Sequence, residues 1–222
     1  MYKRQEHIGD DKIVGHPKNP PIYDHIPKLA VTHSHPHYMM RCASLHDYFQ
    51  WPRYAFLVRN PKAILVSIYE KSKGEHIDKK FGKDNVTFSE YLKCDIQKDN
   101  RLENLWGIIR YFNAWGCVYK NCEKNVLLIQ YEEIEKNTEH VLKQLCNHFG
   151  LENITSDILR TAIQRSSRQE MRQKLNASED QYQRSVNIQK NNFEDWFSED
   201  DNHYYHDICK RYLHYDFGYL EQ

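Results

Sequence analysis

Three short apolar runs separate the polar stretches of the chain and predict buried β-strands. They are YAFLV (Tyr54–Val58), KLAVTH at residues 28–33 and VLLIQY at residues 126–131. Each run has the length of a strand rather than that of a helix. Because segments with a helical pattern lie between them, we expect an α/β domain whose parallel sheet is flanked by helices.

Apolar residues recur at helical spacing in much of the remaining sequence. The pattern predicts helices over residues 62–73, 88–95, 103–121, 156–173 and 203–212, and one more helix that Thr138 caps and Gly150 ends. The residues that share one face of the helix at 103–121 are Leu105, Ile108, Ile109, Phe112 and Trp115. The polar residues 74–85 predict a loop. Residues 1–27 predict an irregular, proline-rich lead-in to a single domain over residues 28–222.

Composition narrows the classes of partner. The 222 residues include 31 basic and 31 acidic side chains, so no global field favours nucleic acid or a membrane surface. No apolar run approaches the ~20 residues that a membrane-spanning helix needs, and the first residues are too polar for a signal peptide. The six cysteines show no paired spacing for a metal, which favours reduced thiols in a cytoplasmic protein.

Three side chains suited to binding or catalysis lie at the carboxyl ends of the predicted strands. They are His33, Arg59 and Tyr131, and open parallel sheets bind ligands at that edge. Arg59 precedes an Asn-Pro turn and a helix that carries Ser67 in its opening turns. An arginine, a hydroxyl and free helix N–H groups together favour an anion site. The alternative is a surface arginine followed by an ordinary β–α turn.

Five segments resemble, in the same order, the motifs of the cytosolic-type sulfotransferases. They are VTHSHP, FLVRNPKAILVSIYE, LLIQYEEIEKN, SSRQEM and QKNNFEDWF. The resemblance implies a sulfotransferase fold of the P-loop-like group, with 3′-phosphoadenylyl sulfate (PAPS) as donor and adenosine 3′,5′-bisphosphate as product. It also implies transfer of a sulfuryl group to a hydroxyl or amine of a small-molecule or glycan acceptor.

The same resemblance implies the nucleotide contacts. Arg59 and Ser67 match the arginine and the serine, eight residues later, that hold the 3′-phosphate. Tyr131 and Ser166 are expected beside the adenine, where Arg168 replaces the family's stacking phenylalanine and offers a guanidinium plane to the purine. The residues that match the loop closing over the 3′-phosphate are Gln189, Lys190 and Asn191. The alternatives are a half-buried core tyrosine at position 131 and a solvated lysine at position 190.

His33 matches the histidine that the family uses as general base. A histidine is suited to take a proton from an acceptor hydroxyl or amine, because its pKa lies near neutrality. An alternative comes from HSHPH, in which His33, His35 and His37 would share one face if extended, as zinc ligands do. Pro36 disturbs such a strand, and no carboxylate or cysteine follows closely. We therefore expect a general base and no metal.

The chain also departs from the family pattern. No segment matches the family's N-terminal loop for the phosphosulfate, because HPKNPP lacks its Gly-Thr pair. Gln189 stands where members have arginine, and Asn191 where they have glycine. We therefore expect the N-terminal βα unit to be missing or degenerate. Two alternatives to a sulfotransferase stay open: a catalytically degenerate module that binds adenosine 3′,5′-bisphosphate, and a small-molecule kinase, which the lack of a Walker A sequence disfavours. No motif specifies the acceptor or the oligomeric state.

Overall fold

The computed structural model describes residues 35–45, 51–72, 77–94, 104–151, 153–167, 169–170 and 192–220. The predicted strand at residues 28–33 and the lead-in at residues 1–27 lie outside these ranges, so the domain boundary at residue 28 stays a prediction. Within the described ranges, a parallel sheet packs against helices, as the sequence predicts.

The sheet of the described residues consists of β1 (Tyr54–Val58) and β2 (Val126–Gln130), which pair in parallel over their whole lengths. The register begins at the first residue of each strand and ends with Val58 opposite Gln130. Because the two strands end together at one edge, the residues that follow them become neighbours.

Eight α-helices accompany the sheet in the part of the chain that the structure describes. They are α1 (Pro61–Ser72), α2 (Ile77–Phe81), α3 (Phe88–Leu92), α4 (Leu105–Asn121), α5 (Tyr131–Lys136), α6 (Thr138–Phe149), α7 (Ser156–Arg165) and α8 (Glu199–Tyr212). Short 3-10 turns cover Tyr38–Arg41, Ala43–Leu45 and Phe193–Trp196. None of the described helices is long and apolar enough to cross a bilayer.

Two of these helices were not predicted by the sequence pattern. α2 lies in the polar stretch that predicted a loop, and its first residue, Ile77, is buried in the core. Asp78 accepts a hydrogen bond from the Val86 N–H at 3.0 Å, which ties the short helix to the following segment. α5 begins directly after β2, so Tyr131 is the first residue of a helix and not the last residue of a strand.

The start of α6 corrects a further prediction. Its cap is Asn137, whose Oδ1 accepts from the His140 N–H at 3.1 Å. Thr138, the predicted cap, instead donates its hydroxyl proton to the Ile134 carbonyl at 2.7 Å. The predicted stop is confirmed, because Gly150 adopts the left-handed conformation, with φ at 70°, that ends many helices.

The core forms where α4 covers β1 with its predicted apolar face. All of the stripe residues are buried: Leu105, Ile108, Ile109, Phe112 and Trp115. Phe56 of β1 stacks on Trp115 with 5.5 Å between ring centroids and 18° between ring planes. Phe217, from the C-terminal segment, meets Phe56 edge-on at 5.5 Å. One aromatic cluster therefore joins the sheet, α4 and the C-terminal segment.

The C-terminal segment, residues 213–220, is fastened to α4 by polar contacts and close packing. Asn113 donates from Nδ2 to the Tyr212 carbonyl at 2.7 Å and accepts at Oδ1 from the His214 N–H at 2.8 Å. The Tyr215 side chain lies directly against Gly116, where a Cβ would be 2.2 Å from Tyr215 Cγ. Glycine is required here because no side chain fits between the helix and the segment.

Asp201 joins α3 to α8 through a buried carboxylate. It accepts hydrogen bonds from Ser89 Oγ at 2.6 Å and Ser198 Oγ at 2.7 Å, and it pairs with Lys93 Nζ at 2.9 Å. Ser198 and Asp201 also form the capping box of α8, which is why this helix begins at Glu199, earlier than predicted. Burial raises the pKa of Asp201, but the hydrogen bonds from Ser89, Lys93 and Ser198 outweigh it and lower the pKa to about 2.

Gly116→Ala should destabilise the fold, although alanine favours a helix over glycine by up to ~1 kcal/mol. The new Cβ would overlap the Tyr215 side chain, and relief of such overpacking typically costs ~1–3 kcal/mol. Urea unfolding measures the free energy of unfolding. Lys120→Ala, at an exposed position of the same helix, is the matched control and should change stability by less than ~0.5 kcal/mol. A Gly116→Ala variant as stable as the control would contradict the close packing.

Asp201→Asn should remove a pH-dependent part of the stability. The folded pKa of about 2 lies below the ordinary value of 3.8, so the ionised carboxylate stabilises the fold above pH ~4 by about 2 kcal/mol, and this is lost as the pH falls toward 2. The difference between wild type and variant in urea unfolding should therefore shrink between pH 7 and pH 3. Asp200→Asn, whose side chain is 83% exposed, should show little difference at either pH. A wild-type advantage that stays constant with pH would refute the assignment.

Candidate functional site

Arg59 and Tyr131 follow the two paired strands and lie together at the edge of the sheet. They come directly after Val58 and Gln130, the last pair of the ladder. The guanidinium carbon of Arg59 is 4.7 Å from the centroid of the Tyr131 ring, which is cation–π distance. Both residues are half-buried. The structure therefore brings together two of the predicted site residues, one with anion-binding donors and one with an aromatic surface.

The turn after Arg59 is held by hydrogen bonds within the protein. The Asn60 N–H donates to Glu132 Oε1 at 3.0 Å, and Asn60 Oδ1 accepts from the Lys62 N–H at 2.9 Å. Pro61, the first residue of α1, has no N–H. The prediction of free helix N–H groups at this turn is therefore wrong for Asn60, Pro61 and Lys62. The N–H groups of Asn60 and Lys62 are already bonded within the protein.

Glu132 links this turn to the C-terminal segment. Its second oxygen, Oε2, accepts a hydrogen bond from the Tyr219 hydroxyl at 2.5 Å. Burial raises the pKa of Tyr219, the Glu132 carboxylate raises it further, and nearby Arg59 lowers it. The phenol is thus neutral and a proton donor. Gln130 Nε2 also donates to the Phe217 carbonyl at 2.8 Å, which fixes the segment beside the end of β2.

Glu132 and Tyr219 were not among the predicted site residues. A signal for Glu132 was available, because it stands one residue beyond Tyr131 at a strand end. Tyr219 had no such signal, since 87 residues separate it from Glu132 and only the packing of the C-terminal segment brings the two together.

Ser67 lies on α1, six residues after Pro61, and is exposed. Six residues advance a helix by about 9 Å, so Ser67 stands well along α1 from the turn that follows Arg59. Its exposure leaves the hydroxyl accessible to a ligand. The joint role of Ser67 and Arg59 at one phosphate stays a prediction.

Ser166 caps the C-terminus of α7 and is exposed. Its hydroxyl donates to the Ala162 carbonyl at 2.8 Å, so its proton is already used within the helix. Toward a ligand it would act as an acceptor, for example from an amino group. α7 packs on α6, and α6 packs on α5. The described contacts do not bring Ser166 against Arg59 or Tyr131.

Lys62 is a second cation in the segment that follows β1, three residues after Arg59 in the sequence, and sequence reasoning did not single it out. Only 12% of its side chain is exposed. Its ammonium group pairs with Glu194 Oε2 at 3.1 Å and donates to Asn202 Oδ1 at 2.8 Å. It also lies 5.2 Å from the Phe197 ring centroid and 5.4 Å from that of Tyr205. These contacts fasten the start of α1 to α8 and to the turn before it.

The other predicted site residues lie outside the described part of the chain. They are His33, Arg168, Gln189, Lys190 and Asn191. Their predicted roles, general base for His33 and nucleotide contacts for the rest, therefore stay predictions.

Two histidines of the alternative zinc motif are described. His35 meets the Tyr111 ring edge-on at 5.6 Å, and burial together with Arg110 and Arg41 lowers its pKa. His37 Nδ1 accepts from the Met39 N–H at 3.4 Å, at the start of a 3-10 turn. Across the described residues, no group of three histidines, cysteines or acidic residues is placed to hold a metal ion.

Comparisons with known proteins agree with the fold. The crystal structure of mouse sulfotransferase SULT7A1 complexed with PAP superposes with a TM-score of 0.57 and 20% sequence identity, covering 85% of this chain and 67% of that one. The chain therefore has the α/β, P-loop-like fold of the sulfotransferases, with a parallel sheet flanked by helices.

Sequence relatives give the same family. Sulfotransferase 2A1 and Sulfotransferase 2A6 of Mus musculus are 30% and 25% identical to this chain over 118 residues. The matched region is 53% of this chain and 38% of each relative, so it spans well under half the length of those proteins. The family model of the Sulfotransferase domain matches residues 20–216. This chain belongs to the family of proteins with a Sulfotransferase domain.

Proposed function

We propose that this chain binds PAPS and transfers its sulfuryl group to a hydroxyl or amine of a small-molecule or glycan acceptor. The observation that carries the proposal is the pair Arg59 and Tyr131, with 4.7 Å between guanidinium carbon and ring centroid, at the carboxyl edge of the sheet of a Sulfotransferase domain. The solved relative is described as complexed with PAP, which supports a nucleotide of this type.

The chemistry of the described side chains supports a nucleotide ligand. Arg59 offers two N–H donors in one plane, which suits a phosphate, and the exposed Ser67 offers a hydroxyl on α1. Tyr131 faces the adenine in this proposal, and Ser166 accepts from an adenine amino group because its own proton is engaged. Arg168 beside the purine and Gln189, Lys190 and Asn191 in a closing loop complete the proposal, and all four lie outside the described residues.

His33 is the proposed general base. Bound PAPS supplies a sulfuryl group whose bond to the phosphate oxygen breaks as the acceptor oxygen or nitrogen bonds to sulfur, and adenosine 3′,5′-bisphosphate is the product. His33 accepts the proton that the acceptor loses. Arg59 holds the 3′-phosphate and takes no part in the proton transfer. Binding and rate therefore depend on different residues.

The alternative of a catalytically degenerate module finds no support in the three relatives described above, which are named sulfotransferases. The kinase alternative likewise has no relative among these proteins. Neither is proposed further. A cytoplasmic location stays part of the proposal, since it rests on the family resemblance and on cysteine usage.

Arg59→Ala should weaken binding of adenosine 3′,5′-bisphosphate by about ten- to a hundredfold, because a charge-assisted hydrogen bond contributes ~1.5–3 kcal/mol. Isothermal titration calorimetry measures both this nucleotide and 5′-AMP. The wild type should prefer the bisphosphate, and the preference should vanish in the variant.

Arg53→Ala is the matched control. This arginine stands at the other end of β1, where it donates to the His148 carbonyl at 2.6 Å, and its loss should leave the preference unchanged. Equal affinity of the wild type for the two nucleotides would sink the proposed function.

In a version of the chain that carries the family's phosphosulfate loop, His33→Ala should leave nucleotide affinity within about twofold of wild type while lowering the rate of sulfuryl transfer by ~10²–10⁴. The rate is measured as formation of adenosine 3′,5′-bisphosphate from PAPS in the presence of a phenol or amine acceptor. His35→Ala, two residues away and packed on Tyr111, is the control and should keep most of the rate. Full turnover by His33→Ala would rule out the general base, and loss of binding would make His33 a nucleotide ligand.

A further inference from the structure

We propose that Glu132, which accepts a hydrogen bond from Tyr219, is the residue that positions Arg59 for a 3′-phosphate. The ligand in this inference rests on the proposed function, whereas the positioning itself is a property of the free protein. Glu132 would not touch the nucleotide. It would act through the backbone of the residue that follows Arg59.

The Glu132 carboxylate is held by hydrogen bonds at both of its oxygens. One oxygen accepts from the Asn60 N–H at 3.0 Å and the other from the Tyr219 hydroxyl at 2.5 Å. Both oxygens are therefore engaged by donors on two distant parts of the chain. A carboxylate facing a phosphate would repel it, but this one is turned toward the turn and the C-terminal segment.

The contact of Glu132 with the Asn60 N–H restricts the backbone next to Arg59. The Arg59 side chain rests on the Tyr131 ring, and its backbone is continuous with the Asn60 N–H that Glu132 holds. Tyr131 and Glu132 are consecutive residues at the start of α5. The first turn of this helix therefore contacts both the Arg59 side chain and the backbone N–H of the next residue. An arginine fixed in advance loses less conformational entropy when it binds an anion.

Tyr219 is held in place by the packing of the C-terminal segment. The segment that carries it is anchored separately, because Gln130 donates to the Phe217 carbonyl at 2.8 Å and the Phe217 ring packs against Phe56 and Phe112. The phenol therefore reaches Glu132 from the core. Burial and the adjacent carboxylate raise the pKa of Tyr219, so it stays a donor at every physiological pH. The C-terminal segment thus contributes to the site without contacting the ligand.

The test compares four variants by calorimetry with adenosine 3′,5′-bisphosphate and with 5′-AMP. Glu132→Ala should weaken the bisphosphate about tenfold and Tyr219→Phe about threefold, with 5′-AMP changed by less than about twofold, as expected for loss of a supporting hydrogen bond. Glu132→Gln keeps an acceptor for the Asn60 N–H and should stay within about twofold of wild type. Tyr69→Phe is the control, since it loses a buried hydrogen bond to the Val86 carbonyl, 2.7 Å long, away from the site.

These outcomes separate the inference from the proposed function. If the wild type fails to prefer the bisphosphate, the proposed function is wrong. If the wild type prefers it and Glu132→Ala keeps that preference, or loses affinity for both nucleotides alike, the positioning role is wrong.

A second readout needs no nucleotide. The NMR signal of the Arg59 Nε–H, assigned by its absence in Arg59→Lys, reports how well the side chain is ordered. It should broaden or move toward the position of solvent-exposed arginines in Glu132→Ala, recover in Glu132→Gln and stay unchanged in Tyr69→Phe. An unchanged Arg59 signal in Glu132→Ala would overturn the inference even if the protein bound no nucleotide.

Discussion

Parallel pairing of β1 with β2 brings the carboxyl ends of two strands to one edge of the sheet, and the candidate site depends on that pairing. Because Val58 is opposite Gln130 in the last pair, Arg59 and Tyr131 leave the sheet side by side. Antiparallel pairing would place the ends of the two strands at opposite edges. The stacking of guanidinium on phenol therefore follows from the direction and register of the strands.

If strand pairing acted alone, the Arg59 side chain would be free to adopt many rotamers. Glu132 holds the backbone beyond it, and the C-terminal segment holds Glu132 through Tyr219. That segment is in turn fixed by aromatic packing in the core and by its approach to Gly116. A chain of direct contacts therefore connects the residues at the edge of the sheet with the packed core of the domain.

Several donors at this edge of the sheet are already used within the protein. Glu132 accepts from the Asn60 N–H and Asn60 Oδ1 accepts from the Lys62 N–H, and the Lys62 ammonium group is bound by Glu194 and Asn202. Arg59 keeps its guanidinium on an aromatic face, where hydrogen-bond donors in its plane can still bind a phosphate.

The sequence by itself determined the two strands, the apolar face of α4 and the order of the family motifs, because hydrophobic period and residue spacing are local properties. It also placed Arg59 and Tyr131 at the carboxyl ends of these strands, although the structure makes Tyr131 the first residue of α5. Only the tertiary structure decided that the Asn60 N–H group is used internally, that α2 is a helix anchored by Ile77, and that Glu132 meets Tyr219. Those features depend on contacts between residues distant in the chain, and no local pattern records which distant partners will meet.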